Sequence, residues 1–343
     1  MALASHPGAG VLGTGGELLP VRRGGILLAA LATAVALVGI GPAQGAQTAG
    51  LEGVPRLKHV FVIVLENEDF NTSWGPASPA RYLNSLVPQG AFATQYYGAS
   101  HVSADNYIAM TSGQTPTPLF QSDCLNWQAC EAFEKALPDG GRSIADQLDE
   151  QGLTWLGSMD SMAVPCQHGA ATDVIDPYQT GYATRHDPFV YYPPIVENQT
   201  RCDSHVRPYS ELPPVLAGPA DAVPNYVFIT PNMCNDMHDC SIATGDSWLS
   251  QQVPAILNSA AYRSNGVLFI TWDEGSTNAG CCTNAAGGRI ATLVISPLAR
   301  TGFQSTVQET HYSLLRTIED SWGLSRLGGA GCACTAQMRE YFR

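Results

Sequence analysis

His59-Val60-Phe61-Val62-Ile63-Val64-Leu65 runs without a break into Glu66-Asn67, and this stretch sets the fold class. The run does not alternate polar with apolar, so neither of its faces is built to meet water. It is short and rich in β-branched residues, which suits a strand of a parallel sheet covered on both sides. Three runs of the same kind follow at 226–230 (YVFIT), 267–272 (VLFITW) and 291–296 (ATLVIS). Between and after them, helical patterns occupy 143–151, 248–259 and 311–322. Strands alternating with helices predict an α/β fold with a doubly wound, mostly parallel sheet. The stretch 166–224 is rich in Pro, Tyr and His and has no clear period. It reads as long loops over one rim of the sheet, and loops of that length in a compact domain tend to serve function.

Composition places this sheet in one exported globular domain. The chain is 45% hydrophobic and 14% charged, which excludes a fibrous or disordered protein. Arg22 and Arg23 precede an apolar run over 26–40, with Ala43, Gly45 and Ala46 behind it. That is the pattern of a signal peptide; the run is short for a membrane span, although an uncleaved anchor is the other reading. The expected organisation is a leader over 1–46 and a single domain with long loops over 47–343. The mature chain is then secreted or extracytoplasmic, with no stable membrane span. A net charge of −13 repels nucleic acid at long range. It still admits a small phosphorylated substrate, because a bound metal reverses the local field. Ten cysteines, an even number in an exported chain, predict disulfides. Cys124 with Cys130 and Cys234 with Cys240 are near enough in sequence to close locally. Cys166, Cys202, Cys281, Cys282, Cys332 and Cys334 cannot be paired from the sequence.

In an open α/β sheet, ligands gather beyond the carboxyl ends of the strands. The first strand ends in Glu66-Asn67 and the third in Asp273-Glu274. The second runs into Pro231-Asn232 and then Asp236 and His238. Acidic groups at neighbouring strand ends repel one another unless a cation lies between them, and oxygen ligands suit a hard or borderline divalent metal. Capping of the next helix or loop is the competing reading for each acid taken alone. A second element is His101-Val102-Ser103-Ala104-Asp105-Asn106-Tyr107. Ser103 is predicted to be the N-cap of a helix that starts at Ala104, with Asn106 at its third position. The positive end of that helix favours a phosphate and stabilises an alkoxide. A plain capping role is the alternative here too.

Leu65-Glu66-Asn67 with Phe70, Ser103-x-x-Asn106-Tyr107, Trp272-Asp273-Glu274 and His311-Tyr312-Ser313-Leu314-Leu315-Arg316, in this order, resemble the bacterial phosphoesterase family. That family includes secreted acid phosphatases and phospholipases C, within the alkaline-phosphatase-like superfamily. The resemblance covers about residues 59–324. It implies a divalent metal held by Glu66, Asn67, Asp273 and Glu274, with Ser103 as both nucleophile and metal ligand. It implies that Asn106 hydrogen-bonds a phosphoryl oxygen. Arg185-His186-Asp187-Pro188-Phe189 and Asp236-Met237-His238-Asp239 resemble family segments that face the substrate, which makes His186 or His238 the acid that protonates the leaving oxygen. His311 heads the last motif without an assigned role.

The resulting expectation is a metal-dependent phosphoric-ester hydrolase that works through a phosphoserine. The chain ends soon after its last motif, without the extra domains of large phospholipases C, which favours the acid-phosphatase branch. Phospholipase C or phosphodiesterase activity is the alternative, followed by a non-catalytic exported binding protein of the same fold. A sulfatase on this fold requires a C/S-x-P-x-R run, and none occurs.

Overall fold

The opening run forms strand β1 (His59–Leu65), with all seven side chains buried. The structure, a computed structural model, describes residues 50–169 and 181–343. The expected leader lies outside the described residues. The further strands are β2 (Ala91–Ala93), β3 (Tyr96–Tyr97), β4 (Trp155–Met159), β5 (Val206–Pro208) and β6 (Tyr226–Thr230). They are followed by β7 (Gly266–Trp272), β8 (Thr292–Ile295), β9 (Gln304–Ser305) and β10 (Glu309–Thr310). Eight of them make one sheet in the order β5-β4-β6-β1-β7-β8-β2-β9, while β3 and β10 pair separately. The fold is the expected mixed α/β type with a mostly parallel sheet.

The register of the three central strands builds the site. β1 lies between β6 and β7, parallel to both. Leu65 stands opposite Trp272, so the chain leaves both strands at the same level. Asp273 N then donates to Leu65 O (2.9 Å), and Glu66 N donates to Asp236 O (2.8 Å). Three acids from three strand ends are thereby brought to one place by backbone pairing alone. β8 runs antiparallel to β7, with Ile270 opposite Leu293. Its carboxyl end therefore points to the far rim, which explains why this strand, unlike the other three runs, supplies no acid to the cluster. The connection 273–291 leaves and returns on the site's own rim.

The helices follow their caps. The helix Ile144–Glu150 begins at a Ser143–Asp146 capping box. His311–Trp322 begins at a Thr310–Ser313 capping box and stops at Gly323, whose φ of 71° closes the last turn. The helix Ile242–Leu257 starts six residues before the expected 248, because Ser241 caps a polar first turn. The apolar period becomes visible only from Trp248 onward.

One element was not foreseen and one expectation is corrected. β4 shows little strand signal, since WLGSM lacks β-branched residues. Its glycine is required by packing, as a Cβ at Gly157 would stand 2.7 Å from the Phe189 ring. The expected loops of 166–224 contain, among the described residues, strand β5 and the short helices Pro193–Val196, Gln199–His205 and Leu212–Leu216. Disulfides join Cys124–Cys130, Cys166–Cys202, Cys234–Cys240 and Cys332–Cys334. Among the described residues, no helix is long and apolar enough to cross a membrane.

Candidate active site

Glu66, Asp236 and Asp273 are all fully buried. Burial, and after it the facing Asp273 and Asp236, holds the Glu66 carboxyl well above the ordinary carboxylate range. Burial likewise raises Asp236 and pushes Asp273 up to about 6. His186 lies between two of these acids. Its Nε2 is 3.4 Å from Glu66 Oε2 and its Nδ1 is 3.4 Å from Asp236 Oδ2. Ligand atoms of Glu66, His186 and Asp236 lie within 4.8 Å of one another. Neither His186 nitrogen has a hydrogen-bond partner among the described residues, and neither has Asp236 Oδ2 or Asp273 Oδ2. Buried polar atoms are seldom left unpaired. Unpaired atoms of an imidazole and carboxylates, with Glu66, His186 and Asp236 each able to offer one ligand atom to a shared ion, fit a divalent cation. Burial also holds the His186 ring well below its usual range, in the neutral form a metal requires.

Ser103 stands beside this group. Its Oγ donates to Glu66 Oε2 at 3.0 Å, and the Tyr107 hydroxyl donates to Glu66 Oε1. Tyr107 also stacks on the His186 ring, with centroids 5.3 Å apart. The helix runs Ser103–Ser112 with Val102 as its N-cap, one residue earlier than expected. Ser103 is therefore the first helical residue, and its side chain faces Glu66 rather than capping the helix. The open amide of Ala104 is taken instead by Asp123 Oδ1 at 3.2 Å.

Val102 has φ +124°, a strained conformation for a β-branched residue. Two motif residues hold it there. Glu274 Oε2 accepts from Val102 N at 3.0 Å and lies 2.8 Å from His101 Nδ1. Asn106 Nδ2 donates to Val102 O (3.1 Å) and Ser100 O (2.8 Å), while its Oδ1 accepts from Ala99 N (2.7 Å) and Ser100 N (3.1 Å). Both amide hydrogens of Asn106 are thus committed to the backbone ahead of Ser103, in place of the expected phosphoryl contact. Glu274, pushed up to about 9 by burial and by Asp273, turns to the same backbone rather than to the ligand group. Asn67 contributes its backbone: φ is +56°, a conformation asparagine tolerates, and its N donates to Asp273 Oδ1 at 3.2 Å.

Three of the expected residues, Glu66, Ser103 and Asp273, are therefore brought together, and His186 joins them as a ligand candidate rather than as a free acid. His238 is half-buried, with its ring 6.0 Å from that of His186 and its Nδ1 2.8 Å from Asp239 Oδ1. His311 is buried and held at about 4, by burial above all. Its Nε2 donates to Asp273 O and so fixes the end of β7. Sequence reading did not assign Asp236 as a ligand. The signal was present, an acid in the loop after a buried strand that neighbours β1. Tyr107 and Arg185 stood inside quoted motifs without an assigned role, and Asp123, 3.7 Å from Arg185, had no comparable signal.

A family model described as the Phosphoesterase family matches residues 77–325. A phosphatidylinositol-3-phosphatase of Mycobacterium tuberculosis is 30% identical over 312 residues, 89% of each chain. An acid phosphatase of Aspergillus fumigatus is 27% identical over 285 residues, 82% of this chain and 58% of that one. This chain thus spans a little under three-fifths of the length of that fungal relative. Among solved structures, a protein of the alkaline phosphatase superfamily from Vibrio parahaemolyticus superposes with a TM-score of 0.55 at 11% identity, over 85% of this chain and 74% of that one. A 2-O GAG sulfatase superposes with a TM-score of 0.53 at 9% identity, over 84% of this chain and 74% of that one. These two likenesses concern the fold alone. By its family match and its relatives, the chain belongs to the phosphoesterase family.

Proposed function

We propose that this chain is a secreted, divalent-metal-dependent hydrolase of phosphoric monoesters, with Ser103 as its nucleophile. The observation that carries the reading is the Ser103 hydroxyl, 3.0 Å from Glu66, at the head of a helix and beside a buried Glu66–His186–Asp236 group. The names of the mycobacterial and fungal relatives, all phosphatases, favour a monoester over a diester.

In the first displacement Ser103 Oγ attacks phosphorus in line and the bond to the leaving oxygen breaks. The Ser103 proton faces Glu66 Oε2. The strained Val102 turn, clamped by Glu274 and Asn106, fixes the direction of Oγ, so these two act as positioning residues. His238, the more exposed of the two candidate histidines, is placed to give the leaving oxygen its proton. Water then attacks the phosphoserine, restoring Ser103 and releasing phosphate. A divalent cation held by Glu66, His186 and Asp236, with Asp273 beside them, supplies the charge that offsets these carboxylates and lowers the pKa of a neighbouring hydroxyl.

The test compares p-nitrophenyl phosphate, its bis-ester and p-nitrophenylphosphorylcholine after chelation and metal add-back. Metal-restored release from the monoester is expected. Release from the bis-ester or the choline ester alone would overturn the monoester assignment in favour of a phosphodiesterase or phospholipase C.

A further inference from the structure

The 273–291 connection packs against the turn that precedes Ser103. Gly287 N donates to Gly98 O (3.0 Å), Ala286 N to Ala99 O (3.2 Å) and Gly98 N to Gly288 O (3.1 Å). The tip of the connection is a tight turn in which Cys281 bridges to Ala285, with Cys281 N donating to Ala285 O at 3.0 Å. Cys282 opens that turn with φ +58°, a left-handed conformation that a cysteine keeps only under local constraint. The two sulfurs are 2.6 Å apart, well inside non-bonded contact. Cys281 is buried with Tyr97 and Ala285, and Cys282 is exposed. The other eight cysteines are already joined in four disulfides.

We propose that Cys281 and Cys282 form a redox modification site, a disulfide between adjacent residues that closes this turn and so steadies the backbone ahead of Ser103. The oxidant is another disulfide, small-molecule or on a dithiol oxidoreductase. The exposed Cys282 thiolate attacks one oxidant sulfur, giving a mixed disulfide and one released thiolate. Cys281, having lost its proton, then attacks Cys282 Sγ. The Cys281–Cys282 bond forms, the mixed disulfide breaks, and the second oxidant thiolate leaves. Two cysteine thiols are oxidised, one disulfide is reduced to two thiols, and the two cysteine protons end on those thiols. A bond between neighbours constrains hardly any of the unfolded chain, so loop closure protects it least of the five bridges. With one sulfur exposed, it opens under a mild dithiol reductant, together with Cys332–Cys334, the other short bridge with an exposed cysteine.

The first test is peptide mapping of protein purified without reductant and alkylated before digestion. The peptide bearing both cysteines should be unalkylated and lighter by two hydrogens. Alkylation of both, or linkage of either to a different cysteine, would overturn the site. The second test follows turnover of p-nitrophenyl phosphate while the reductant is raised. Wild-type kcat should fall several-fold in step with the opening of this peptide. A Cys281→Ser, Cys282→Ser double variant should start at the reduced level and not respond. Equal responses of the two proteins, or an opened bond with unchanged kcat, would overturn the coupling to Ser103. The mapping does not depend on activity, so its failure is separate from any failure of the hydrolase assignment.

Discussion

The chain buries acids in two regions and treats them differently. On the helix His311–Trp322, buried Asp320 meets Arg326 at 2.7 Å, and Arg316 stands 3.8 Å from Asp320 and 3.1 Å from Glu52. At the strand ends, Glu66, Asp236 and Asp273 are as deeply buried. Arg185, which bears on Asp236, is paired with Asp123. The first region sets the guanidinium groups of Arg316 and Arg326 beside Asp320 and Glu52, even though Asp320 Oδ2 and Glu319 Oε2 have no hydrogen-bond partner among the described residues. The second leaves carboxylate oxygens unpaired around a neutral imidazole. An uncompensated buried charge is destabilising, so the contrast supports the proposed reading of the second cluster as a seat for a cation.

The largest expected effect lies at the incomplete region. Ser103→Ala should lower kcat by several orders of magnitude while stability shifts by only about 1 kcal/mol, the worth of one hydrogen bond. Steady-state kinetics beside thermal melts would show this. A fully active variant would move the nucleophilic role to water and weaken the functional side of the contrast. Next, Asp236→Asn should reduce bound metal and lower activity by roughly 10²-fold or more. With metal removed, the same variant should melt no lower than wild type, because one of three facing acids has become neutral. Elemental analysis and melts in chelator decide it, and unchanged metal content would exclude Asp236 as a ligand.

The self-sufficient region should respond in the opposite sense. Arg326→Met strips buried Asp320 of its closest cation and should destabilise the fold by about 3 kcal/mol, since Arg326 is only 23% exposed. kcat of the folded protein at low temperature should not change. A loss of kcat without a loss of stability would break the division. The last expected effect concerns Glu319, pushed up to about 9 by burial. Its folded pKa exceeds its unfolded value near 4.5, so the folded chain binds the extra proton. Its contribution is full below about pH 4.5 and is lost as pH rises toward about 9. Glu319→Gln should flatten the fall in melting temperature across that window, and a profile matching wild type would remove Glu319 as its source.

How much of this was legible in the sequence depends on what each residue has to signal. β1, β6 and β7 announce themselves because every position is buried and nearly all are apolar or β-branched. β4 does not, since it lacks β-branched residues and its glycine is dictated by the Phe189 ring, from 32 residues further on. Direction is also silent: the composition of β8 resembles that of the parallel strands β1, β6 and β7, and only pairing shows that it is reversed. In the site, residue type tells what a side chain can hold but not where it turns. Glu66, Ser103 and Asp273 converge as their strand-end and helix-start positions imply. Glu274 and Asn106 have the chemistry of ligands, yet local backbone geometry claims them for the Val102 turn. His186 belongs to a segment without periodicity, so only the folded chain could place it between Glu66 and Asp236.

The reversal of β8 has a consequence for how such a protein can diversify. A crossover between parallel strands must travel the length of the sheet, and its length and packing are tied to the core. The connection from β7 to β8 escapes that duty, because it is anchored at both ends on one rim and is held along its course by the Gly98–Ala99 backbone and its own turn rather than by the sheet. Lengthening it adds only roughly 0.6 kcal/mol per doubling and leaves the strand register untouched. It is therefore the natural splice point of the molecule, where a new tip can be written beside the turn ahead of Ser103 without re-solving the fold beneath. Exchanging the tip between relatives should carry substrate preference with it while the melting behaviour stays with the host.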